Sequence, residues 1–241
     1  MLSISNIISQ AWLLYSKNWR ALSIYMAFLF LPTFLMSILG IVGVSLNKVI
    51  PGSALVSNII IGIIFIISLL ITFWTTIALT CGLKAMLDNA PNHSWRAMFD
   101  KASPLLWPFA YTSLIVGLVV FGGTILFIIP GIIFTVWYAF TGYVVLFDGE
   151  KGAAALSASK RLVVGRWWPI IFRLIIPNLL FMFIFMAAQM VVAAPITAFL
   201  PTGPALVAAN IVSALGKAIL TPLTGAAILI LFLDAKQKPN V

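Results

Sequence analysis

Between Ala102 and Phe147 the chain carries no charged side chain, yet Pro130 and Gly131 stand in its middle, in the stretch LFIIPGIIF. As one helix this run would extend about 69 Å at 1.5 Å per residue, more than twice the roughly 30 Å of a bilayer's hydrocarbon core. It has to double back. Proline fixes φ and removes a donor, and glycine tolerates φ > 0, so Pro-Gly predicts the turn. One helix is expected over 104–129, a returning one over 131–147, and the turn at the far interface. A chain that is 63% hydrophobic and 8% charged, with a mean hydropathy of +1.16, lies outside the range of water-soluble domains.

Four further apolar runs, 21–46, 58–83, 170–198 and 205–233, bring the expected number of spans to six. The fold class is therefore an all-α polytopic membrane protein, one integral membrane domain over 1–241. The first span is not expected to be a cleaved signal peptide, because an amphipathic segment precedes it and no small-x-small site follows.

Basic residues orient the spans. Lys17, Arg20, Lys84, Arg96, Lys101, Lys151, Lys160, Arg161, Arg166, Arg173, Lys236 and Lys238 fall on one side, and the other side holds only Lys48. The positive-inside rule makes the first side, and both termini, cytoplasmic. The net charge of +9 is thus a topology signal directed at the phospholipid bilayer and its anionic headgroups, and nucleic acid is not an expected partner.

Each stretch before an outgoing span has one plan. Ile4, Ile7, Ile8, Ala11, Trp12 and Tyr15 recur at helical spacing ahead of Trp19 and Arg20. Ser94 can cap a helix with Trp95, Met98, Phe99 and Ala102 on one face, followed by Trp107 and Pro108. Leu156, Ser159 and Val163 share a face opposite Ser157, Lys160 and Arg161, and Trp168 and Pro169 follow. Such helices fit the plane of the interface with tryptophan at headgroup depth. Three units, 1–83, 92–147 and 152–233, would form a parallel pseudo-threefold arrangement with a cytoplasmic collar of three amphipathic helices. Aromatic belts alone would also place tryptophans there without duplication.

The segment IIPGIIFTVWYAFTGYVVLFDGEKGAAALSASKRLVVGRWWPI resembles the hallmark of the YciC-like bacterial inner-membrane proteins and the related glycerophosphoryl diester phosphodiesterase membrane domain. Pro130, Gly131, Glu150, Ala155, Leu156, Ser159, Gly165 and Trp168 occupy the places of that pattern. The ending ILILFLDAKQK matches the family's terminal signature at Asp234 and Lys236 and departs from its tyrosines at Leu231 and Phe232. The resemblance implies a bacterial inner-membrane protein of largely uncharacterised function. Where the domain is joined to a phosphodiesterase, the soluble partner carries catalysis; with no such partner after residue 233, glycerophosphodiester hydrolysis is not expected.

Side-chain chemistry points the same way. With His93 the only histidine and Cys81 the only cysteine, no His/Cys metal site can be assembled, and neither cofactor nor metal is expected. His93 reads as a solvated loop residue, and Cys81 as a small buried one. Asp148 and Glu150 would suit acid/base work or Mg²⁺, but they also favour the positive end of a helix starting at Gly152 and can pair with Lys151 or nearby arginines. Asp234 is expected to partner Lys236 or a basic loop.

Lys217 stands out, near mid-depth in the last apolar run, where a charge is costly unless paired or snorkelling. Asn210, Gln189, carbonyls freed by Pro222, water or a lipid phosphate could meet it; alternatively it reaches the outer interface. Prolines 32, 177, 195 and 222 suggest kinks that open a cavity. The candidate lipid or anion contacts are Lys217, Lys160, Arg161 and Arg166. The function expected is a noncatalytic membrane protein contacting lipids or partner membrane proteins, in envelope homeostasis. A small-molecule or lipid transporter is the alternative, favoured if a polar cavity reaches Lys217. An integral membrane enzyme would require Asp148, Glu150 and Asp234 to converge.

Overall fold

A computed structural model describes residues 1–49, 54–90, 94–199 and 201–237. His93 and Lys238 lie outside the described residues, as does the side chain of Lys48. The described residues contain ten α-helices and no strand: α1 Ile4–Lys17, α2 Trp19–Val49, α3 Ala54–Leu87, α4 Trp95–Ala102, α5 Leu106–Leu126, α6 Ile128–Trp137, α7 Thr141–Phe147, α8 Gly152–Val163, α9 Trp167–Phe199 and α10 Thr202–Gln237. Six segments are long and apolar enough to cross a bilayer: Trp19–Leu39, Ala54–Leu87, Trp95–Leu126, Ile128–Phe147, Trp167–Ile196 and Ala205–Gln237. The molecule is an all-α polytopic membrane protein.

Three antiparallel hairpins, α2–α3, α5–α6 and α9–α10, carry the spans, and α10 also packs along α2. The helices α1, α4 and α8 precede these hairpins on the face that carries most of the basic residues, called here the basic face. Ser3 caps α1 by accepting from the Asn6 N–H at 3.2 Å, and Ser94 caps α4 by accepting from Ala97 at 3.4 Å. Their docking is cyclic. The helix α1 packs mainly on α10, α4 on α3, and α8 on both arms of the central hairpin, so each amphipathic helix leans mainly on a hairpin other than the one it leads into.

Those helices bury their apolar faces in protein rather than lipid. Ile7, Ala11 and Leu14 of α1 are buried, as are Met98, Phe99 and Ala102 of α4 and Ala155, Leu156, Ser159 and Val163 of α8. Phe99 sits among Phe28, Trp74 and Trp95 at ring separations of 5.0, 5.0 and 6.3 Å, and its carbonyl accepts from the Trp74 indole at 3.2 Å. Trp12 departs from expectation, turning out of the buried face of α1. Trp19, Trp107 and Trp168 are exposed as well.

The central hairpin corrects the expected turn. The chain reverses at Phe127, whose extended backbone (φ −159°, ψ 145°) ends α5 and starts α6, while Pro130 and Gly131 lie inside the first turn of α6. There Pro130 needs no N–H partner, because the first helical donors have no acceptor within their own helix. Gly131 is not left-handed; its role is contact. A Cβ built on it would lie 2.2 Å from Thr124 Oγ1 and 3.0 Å from Thr124 Cα, so only glycine lets the two arms approach this closely.

The returning span is also broken, where one helix over 131–147 was expected. Between α6 and α7 the backbone tightens: Ala139 N–H goes to Val136 O at 3.4 Å and Thr141 N–H to Tyr138 O at 3.1 Å. That leaves Phe140 N–H and Trp137 C=O without helical partners. Ser159 of α8 meets both, accepting from Phe140 N–H at 3.2 Å and donating to Trp137 O at 2.7 Å. Irregular backbone in a membrane protein requires such internal partners. Ser159 is fully buried at this joint.

Candidate functional site

On the basic face, α10 ends among groups drawn from both ends of the chain. The buried Asp234 carboxylate accepts from the Leu2 N–H at 2.8 Å, and Leu2 O accepts from Arg173 Nε at 2.7 Å. Lys236 pairs with Asp148, not with Asp234. The expected Asp234–Lys236 contact fails for a geometric reason: residues two apart on a helix do not face each other. Arg166 turns inward, donating to Leu162 O at 3.1 Å and Ala235 O at 3.2 Å, where it serves the carbonyl end of α10. Lys160 lies 4.1 Å from the centroid of the Trp137 ring, whereas Arg161 stays exposed. Glu150 is exposed in the loop before α8. Asp148, Glu150 and Asp234 do not gather; among the described residues no three His, Cys, Asp or Glu side chains form a group able to hold a metal ion. Cys81 is buried, as its position suggested.

Away from that face, a groove of about 420 Å³ opens among α2, α3 and α10. Thr33 and Ser37 line it from α2, Ser68 and Thr72 from α3, and Asn210, Ser213 and Lys217 from α10. Each helix contributes polar residues at i, i+3, i+4 or i+7, which puts them on one face. Three hydroxyls are already donating to their own helices: Thr33 to Phe30 O at 2.7 Å, Ser37 to Thr33 O at 2.9 Å, and Thr72 to Ser68 O at 2.8 Å. Their oxygens retain lone pairs for the groove. Asn210, Ser213 and Lys217 have no side-chain hydrogen bond or ion pair among the described residues, and no acidic residue lines the groove.

Its depth follows from helix rise. Lys217 lies about 26 Å along α10 from Asp234, Ser37 about 27 Å along α2 from Trp19, and Thr72 about 18 Å along α3 from Lys84. The opposite ends of the same helices are about as distant, with Val49 about 18 Å from Ser37, Ala54 about 27 Å from Thr72 and Thr202 about 23 Å from Lys217, so the groove sits near the middle of the three helices. Lys217 thus lies near the middle of α10. Of the partners considered for it, Asn210 shares the groove; Gln189 lies instead in another groove, of about 490 Å³, lined by Trp12, Tyr15 and apolar residues of α9 and α10. Burial pushes the Tyr15 phenol up, so that wall stays neutral. A third groove of about 570 Å³, between α6 and Trp167–Trp168, is lined by Ile129, Ile132, Ile133 and Val164.

Thr33, Ser37, Ser68, Thr72 and Ser213 are absent from the sequence expectations. The signal was present as short polar stripes inside three apolar runs. Each stripe alone reads as hydroxyls satisfying their own helix, and only the packing of α2 and α3 on α10 unites them. The chain matches no family model, no curated protein and no solved structure.

Proposed function

We propose that this is a noncatalytic integral membrane protein whose working contacts are with lipid, and that the groove at Lys217 is its principal site. The observation that carries the reading is a lysine among hydroxyl and amide groups, without an acid, in a membrane-facing groove. An unpaired ammonium in hydrocarbon is expensive, and an anionic headgroup offsets that cost. On the basic face, Arg161 and Lys160 extend the same preference to headgroups there. This reading keeps the YciC-like resemblance, a bacterial inner membrane, cytoplasmic termini and a role in envelope homeostasis, with a partner membrane protein on the exposed spans. Lipid transport is the second reading, favoured because the groove at Lys217 carries a cluster of polar side chains in an otherwise apolar lining, while the other two are almost wholly apolar.

Native mass spectrometry of the gently solubilised protein is expected to show copurified anionic lipid, reduced in Lys217→Met. Equal lipid content in the two proteins would reject the site. Orientation has its own check. A Phe127→Cys variant is expected to react with a membrane-impermeant maleimide from the periplasmic side, since Phe127 is exposed at the hairpin tip and Cys81 is buried. Labelling only after the cytoplasmic side is opened would invert the topology.

A further inference from the structure

We propose that the groove among α2, α3 and α10 recognises the phosphate of an anionic phospholipid. The inference rests on the lipid-contact reading and adds the headgroup chemistry.

Hydrogen-bond capacity carries the argument. Lys217 offers an ammonium, Asn210 an amide and Ser213 a hydroxyl, none of them donating to a protein group among the described residues. These donors follow one another at i, i+3 and i+7 along α10, so they form a single strip. Opposite them, Thr33, Ser37 and Thr72 have already directed their hydroxyl hydrogens to helix carbonyls. The α10 wall therefore offers three uncommitted donors, while the facing walls mainly accept, Ser68 alone keeping its hydroxyl hydrogen among the described residues. A phosphate diester suits the donating wall, because its free oxygens are anionic and accept charge-assisted bonds. Headgroup hydroxyls or bound water suit the accepting wall. A choline group would meet Lys217 as a like charge and has no N–H or O–H for the accepting wall, so zwitterionic phosphatidylcholine is disfavoured.

The lining also suits the acyl part of the same ligand. Apolar Phe65 and Leu69 of α3 line the groove beside the polar groups, and Phe65 is half exposed, which leaves an apolar surface for acyl chains.

The test is a titration of the full chain in neutral detergent, read by native mass spectrometry, with phosphatidylglycerol, phosphatidylcholine of the same acyl chains, and inorganic phosphate as competitor. Phosphatidylglycerol is expected to bind about tenfold more tightly than phosphatidylcholine, as befits one charge-assisted contact. The preference should fall to within about twofold in Lys217→Met and persist in Lys217→Arg. Because a Lys217 variant could fail to fold, Ser213→Ala with Asn210→Leu serves as a second test and should also weaken the preference. Equal affinity of the wild-type protein for both lipids would overturn the headgroup assignment and leave the lipid-contact reading standing. Binding of neither lipid would overturn both. Displacement of phosphatidylglycerol by millimolar phosphate would assign the site to a free anion and overturn the lipid source.

Discussion

Replacing Gly131 by valine is expected to destabilise the protein by about 3 kcal/mol, the upper range for forcing added carbons into a packed contact. The first added carbon would already lie 2.2 Å from Thr124 Oγ1, and the backbone Cα of Thr124 is only 3.0 Å away. The arms of the central hairpin would have to separate near the Phe127 turn. The check is the temperature at which the detergent-solubilised protein loses its monodisperse gel-filtration peak. Gly122→Ala is the matched control, since a Cβ there meets nothing within 4 Å. Thr124→Gly should restore part of the loss by removing the side chain in the way. If Gly131→Val were as stable as Gly122→Ala, the close approach of the two arms would be wrong.

Ser159→Ala is expected to act at the joint in the fourth span. Its hydroxyl serves both backbone groups left by the break, Phe140 N–H and Trp137 C=O, and the site is fully buried. Orphaning a buried polar group costs about 1–3 kcal/mol, and here two are orphaned by losing one oxygen. The variant should exchange the Phe140 amide hydrogen markedly faster, with a lower thermal midpoint. Exchange at Phe140 unchanged from wild type would show that α8 does not hold the joint. The neighbouring Ser157, exposed on the opposite face of α8, supplies a control that should change neither quantity.

These two residues show how far a single chain can be read. Hydropathy and length located six spans because every backbone group in lipid must be satisfied internally, which leaves few options for long apolar runs. Pro130 and Gly131 announced a reversal, but a Pro-Gly pair is equally at home in the first turn of a helix, so the pair misplaced the reversal by several residues. The break at 138–140 carries no proline and no glycine within it. It exists because Ser159, from a helix later in the chain, satisfies what the break exposes, and no local pattern encodes that. Asp234 was legible as a residue with a task, though its partner, the Leu2 amide, is a backbone group that side-chain reasoning does not list among candidates. The groove was half visible: Lys217 and Asn210 were in view, and the hydroxyls on α2 and α3 became part of it only through packing.

The docking of α1 on α10 has a temporal consequence. About 220 residues separate Lys17 from Gln237, and ribosomes add roughly 5–20 residues per second, so α1 waits on the order of 11–44 s for its seat to be made. During that wait Ile7, Ala11 and Leu14 lack the helix that makes the largest contact with α1, with only the smaller contacts to α2 and α9 in place. An amphipathic helix can rest at the headgroup boundary in the meantime. The bilayer would then act as a holding berth for α1, and α10, once made, would draw it off.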